Sequence, residues 1–105
     1  MKSISLEQTQ ISALIQQGCT SSDWSLVLLS INCELSRFRN VTFIGKVTVG
    51  NNSGTIDIDG IALPCGIYNA ILANCTIGKC VRIANIGSVI ANCTIGENVL
   101  IENVA

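Results

Sequence analysis

No histidine occurs anywhere in the 105 residues. The side chain most used as a general base near neutral pH, and as a zinc ligand, is therefore missing. Charged residues make up only 12%, the net charge is −1 and no basic cluster stands out. Nothing here is suited to hold a nucleic-acid backbone or an anionic membrane surface, so neither is expected as a partner. No apolar run has the length needed to cross a bilayer, so no segment is expected to span one. The opening MKSISLEQTQ lacks the apolar core of a signal peptide, and the cytoplasm is the expected location. Aromatic residues are scarce at 4% although the hydrophobic fraction is 49%. Any core must therefore be built from small aliphatic side chains.

What is present is a repeat. Ile71–Gly87 reads ILANCTIGKCVRIANIG and Val89–Ala105 reads VIANCTIGENVLIENVA. Aligned with a shift of eighteen, nine of the seventeen pairs are identical. Within the repeat Ile71, Ile77, Ile83, Val89, Ile95 and Ile101 recur at every sixth position. A period of six nested in eighteen predicts a solenoid with three equal sides per coil. Alternation along a strand then turns these aliphatic residues inward, together with the residue two before each. Those partners are Cys75, Val81, Gly87, Cys93 and Val99, all small, with Asn69 the one polar exception. Thr76, Arg82, Ser88, Thr94 and Leu100 face out. Gly78, Gly96, Asn74, Asn92 and Asn98 fall at corners, where left-handed backbone suits glycine and asparagine. Identical residues should stack about 4.8 Å apart, Cys75 over Cys93 among them.

The rest of the chain is organised around that repeat. Residues 1–24 are expected to form a helical cap, with Ser5 and Gln8 as a capping box, Gly18 as the stop and Trp24 as a plug. Residues 25–105 are expected to form the solenoid. The interval from Val49 to Ile71 is not a multiple of six, so a protruding loop or hairpin is placed at 51–64. Alternation through Thr55–Ile61 with Asp59-Gly60 at a turn supports it.

Aliphatic-Gly-x-x-small-x, read in TIGKC and TIGEN, resembles the motif of the left-handed parallel β-helix, or hexapeptide-repeat, superfamily. The resemblance supplies the handedness, since parallel crossovers are otherwise right-handed. The expected fold is an all-β solenoid, a left-handed parallel β-helix of about three coils. QGCTSSDW, RNVTFIGKVTVG, GIYNAILANCTIG and IANCTIGENVLIENV are similar, more narrowly, to the N-terminal region of an uncharacterised bacterial family of long β-helix proteins. That family implies a longer protein, loosely grouped with sugar-nucleotide and acyl transferases.

Three functional readings follow. Acyltransferases of this superfamily use a histidine base and its γ-class carbonic anhydrases hold zinc with three; the absence of histidine counts against both. Glu97, Glu102, Asp57 and Asp59 are the acids of the patterned half, with Asp57 and Asp59 on one face of a strand, read as a solvated hairpin face. Cys75, Cys80 and Cys93 show no C-x-x-C spacing, and stacked neighbours give poor disulfide geometry. All six cysteines (Cys19, Cys33, Cys65, Cys75, Cys80, Cys93) are read as free thiols, and no metal, cofactor or catalytic residue is expected. The third reading is the expected one: a non-catalytic scaffold or assembly segment. Leu72, Ile90 and Leu100 are its candidate interface, an outward apolar ladder. The expected partner is a second copy, with a trimer favoured, or the continuation of a longer solenoid beyond Ala105. The alternative is an acyl- or sugar-nucleotide transferase whose site needs residues beyond 105 or a neighbouring subunit.

Overall fold

Among the described residues eight non-glycines adopt left-handed backbone, six of them asparagines: Asn40, Asn69, Asn74, Asn85, Asn92 and Asn98, with Asp59 and Cys80. Asparagine tolerates this conformation best among residues with a side chain, so each marks a place where an extended chain is bent sharply without disproportionate strain. In the computed structural model, which describes residues 3–30, 33–52 and 54–102, these bends separate short strands that then lie side by side. No helix among those residues is long and apolar enough to cross a membrane.

The chain opens with β1 (Ser3–Ser5), helix α1 (Gln8–Gln16), β2 (Thr20–Ser21) and β3 (Val27–Ser30). The helix starts at Glu7, whose backbone N–H donates to the Gln10 side chain at 2.8 Å, rather than at Ser5, which lies in β1. It stops as a Schellman motif: Gly18, at φ +87°, donates to Ile15, and Cys19 donates to Leu14. There follow β4 (Phe38–Ile44), β5 (Val47–Val49), β6 (Thr55–Ile58), β7 (Ile61–Pro64) and β8 (Gly66–Ala73). The repeat region holds β9 (Thr76–Ile77), β10 (Arg82–Ala84), β11 (Val89–Ala91), β12 (Thr94–Ile95) and β13 (Leu100–Glu102).

These strands form three separate sheets. One has the order β1-β3-β5-β9-β12, another β13-β10-β8-β4-β2 with β11 also on β8, and the third is the β6-β7 hairpin. Pairing is parallel throughout the two larger sheets except that β1 runs antiparallel to β3; the hairpin is antiparallel. One buried core holds Leu14, Val27, Val41, Val47, Ile67 and Ile83 together with Phe38 and Phe43. Trp24 packs at a tilt against Phe43 with ring centroids 5.9 Å apart, and Phe38 lies tilted against Phe43 at 6.1 Å.

This corrects the expected left-handed β-helix of about three coils. Such a solenoid needs one closed path with equal sides, and no closed solenoid is found among the described residues. The physical reason is the placement of the bends at Asn69, Asn74, Cys80, Asn85, Asn92 and Asn98. They are unevenly spaced: Asn69 and Asn74 stand closer together along the chain than Asn85 and Asn92 do. The step of the repeat is real, seen where Val89 pairs with Ile71, Thr94 with Thr76 and Leu100 with Arg82. It does not extend further back. Val27 pairs with Val47, Phe38 with Ile67 and Gly66 with Arg82, three steps that differ from one another and from the repeat.

Candidate functional site

β8 decides which side chains reach the surface. Because Asn69 takes a left-handed bend at φ +54° inside this strand, alternation restarts after it, and Ile67, Ala70 and Leu72 turn inward while Ile71 turns out. The expected ladder of Leu72 and Ile90 is therefore on the inner side: Leu72 is fully buried beside Phe43, and Ile90, its register partner, packs against the core. Leu100, on β13, is half-buried.

The residues that do face out are the ones expected inside. Ile71 is 38% exposed and Val89 49%, side by side in register. The row runs on through Thr42, which pairs with Ile71, to Thr20, whose hydroxyl lies 3.3 Å from that of Thr42. Beside it a second row carries Ile44, 42% exposed, then Ala73 and Ala91, half-buried. None of the side chains in these two rows is charged. Parallel strands about 4.8 Å apart make the two rows a continuous aliphatic and threonine surface on one face of the larger sheet.

A second, polar constellation lies at the root of the β6-β7 hairpin. Arg37 donates through Nη1 to the Gly54 carbonyl at 2.6 Å and the Cys65 carbonyl at 3.3 Å, and its Nε pairs with Glu34 at 2.9 Å. Arg82 donates to the Pro64 carbonyl at 2.9 Å, pairs with Glu102 at 2.9 Å and stands 5.0 Å over the Tyr68 ring, whose hydroxyl donates to the Cys65 carbonyl at 3.2 Å. Two guanidinium groups thus fix the chain on either side of Cys65. Cys80 lies beside it, one residue diagonal across the register that pairs Gly66 with Arg82. Burial pushes the Cys65 thiol above its ordinary range and the neighbouring Cys80 adds to this, while Arg37 and Arg82 pull the other way. The Cys19 and Cys33 thiols are also raised by burial.

The other residues singled out in the sequence are scattered. Cys75 is buried, with its thiol donating to the Ile90 carbonyl at 3.2 Å, and Cys93 above it is exposed. Asp57 and Asp59 lie exposed on the hairpin, Glu97 is exposed and Glu102 is held by Arg82. Among the described residues no group of three or more acidic or thiol side chains is placed to hold a metal ion. Ala105, and with it the pattern's end, lies outside the described residues. The Cys65–Cys80 approach could not be read from the sequence because all of β8 and β9 lies between the two in the chain. Its only trace was a cysteine at a corner position otherwise taken by asparagine or glycine.

A family model described as a domain of unknown function, DUF4954, matches residues 4–105. No hexapeptide-repeat family is shown, and no curated protein or solved structure matches the chain.

Proposed function

The chain belongs to the domain-of-unknown-function family DUF4954, and from that premise we propose that it is a scaffold and assembly segment, without catalysis of its own, that docks a second copy of itself through the Ile44, Ile71 and Val89 face. The observation that carries this reading is the pairing of Ile71 with Val89, both exposed, in two uncharged rows that include Ile44. Aliphatic side chains aligned on a rigid sheet gain by being removed from water, at about 25 cal/mol per Å² of apolar area. A second copy is the occupant favoured by charge. The surface offers no charged group to a charged partner, and the chain's net charge of −1 opposes self-association little. A two-fold pairing would bring the same rows together from both copies.

The test is the double substitution I71K/V89K, which sets like charges on the surface without entering the core. Native chain should elute as an assembly in size exclusion with light scattering, and the double variant as a monomer with an unchanged circular-dichroism spectrum. A variant that assembles as well as the native chain would refute the docking face. The non-catalytic part of the reading predicts that acetyl-CoA and nucleotide sugars leave the melting temperature unmoved; stabilisation by either, which binding to the folded state would produce, contradicts it.

A further inference from the structure

The hairpin root carries an arrangement the docking face does not use. Cys65 directly follows β7, and its backbone N–H donates to the Gly54 carbonyl at 3.0 Å, closing the base of the hairpin. Cys80 occupies the left-handed bend between β9 and β10, at φ +56°. Its backbone N–H donates to Asn51 at 2.9 Å, and its sulfur lies 3.2 Å from the point where a side chain on Gly54 would begin. The residues that follow the two cysteines are tied together: Gly66 donates to the Val81 carbonyl at 3.0 Å, and Gly66 is the register partner of Arg82. Val81 therefore stands opposite Cys65, and Cys80 is one residue diagonal to it. Diagonal neighbours on adjacent strands fall within the Cα separation that a disulfide spans, roughly 4.4–6.8 Å. The bend at Cys80 sets its sulfur against Gly54, the residue whose carbonyl accepts from the Cys65 N–H.

We propose that Cys65 and Cys80 form a dithiol site that reacts reversibly with low-molecular-weight disulfides, closing into an intramolecular disulfide that staples the hairpin root to the bend before β10. Cys80 is partly exposed and Cys65 buried, which assigns the order of events. The Cys80 thiolate attacks one sulfur of the small disulfide, its S–S bond breaks, and one thiol leaves. Cys65 gives up its proton, attacks the Cys80 sulfur of the mixed disulfide, and releases the second thiol. Two protein thiols and one disulfide become one protein disulfide and two small thiols, so electrons and protons balance. Burial disfavours the Cys65 thiolate that the second step requires, and Arg37 and Arg82, held beside it by their contacts with the carbonyls of Gly54, Pro64 and Cys65, offset part of that cost.

Oxidised glutathione is the probe, and peptide mapping by mass spectrometry after alkylation of the remaining thiols is the readout. Native chain should yield a Cys65–Cys80 crosslink that a dithiol reductant reverses. C65S should instead accumulate the glutathione adduct on Cys80, because the resolving thiol is gone. Cys93, exposed on the stack, reports reagent access in the same sample. A stable glutathione adduct on Cys80 of the native chain, a Cys75–Cys93 crosslink in place of Cys65–Cys80, or modification of Cys93 alone would each overturn the proposal. The native arm needs no substitution, so the test stands even where C65S fails to fold.

Discussion

The buried amide of Asn52 clasps the Glu34 backbone from both sides: its oxygen accepts from the Glu34 N–H at 2.7 Å and its nitrogen donates to the Glu34 carbonyl at 3.2 Å. No other residue type of that size supplies both partners to one peptide unit. Asn52→Ala should lower stability by about 1–3 kcal/mol in urea titration, since two backbone groups are left unpaired in a water-poor site; a change under about 0.5 kcal/mol would show that water replaces the amide. The side chains of Asn40, Asn69 and Asn85 are likewise joined, Asn40 to Asn69 at 3.0 Å and Asn69 to Asn85 at 2.9 Å. Corner chemistry at Asn74, Asn92 and Asn98 was legible from the sequence. Asn69 was not, because the period of six assigned it inward. A lone polar residue in a row of small ones was the sign that the phase was off by one there, and that single error turned Leu72 out and Ile71 in.

Between elements, the turns after β5 and β9 leave no room for a side chain. A side chain on Gly50 would meet the Gly78 carbonyl carbon at 2.9 Å, and one on Gly78 would meet the Gly96 carbonyl oxygen at 2.7 Å, whereas Gly96 has nothing within 4 Å. The turns after β5, β9 and β12 thus stack backbone on backbone. Gly78→Ala should cost about 1–3 kcal/mol through overpacking, and Gly96→Ala, at the open side of the same stack, should fall within about 0.5 kcal/mol of native. Equal effects, measured by chemical denaturation, would contradict the stacking. The identity of Gly78 and Gly96 across the repeat made the stack readable in advance, and Asp59-Gly60 in an alternating stretch marked the segment where β6 and β7 pair. What could not be read was how the earlier strands join the stack. The steps from Val27 to Val47, Phe38 to Ile67 and Gly66 to Arg82 share no common period. Their pairing is decided by which bends bring apolar faces together.

For the whole molecule, two surfaces have different consequences. The hairpin root is a local, covalently switchable contact and makes no demand on assembly. The Ile44, Ile71 and Val89 face concerns the relation between copies, and it departs from the polar surface expected of a free-standing sheet. Sedimentation velocity of the native chain across a concentration series tests it most directly. A sedimentation coefficient that rises with concentration, and stays flat for I71K/V89K over the same range, is the predicted result. A native chain that sediments as a monomer at every concentration would contradict the docking face outright.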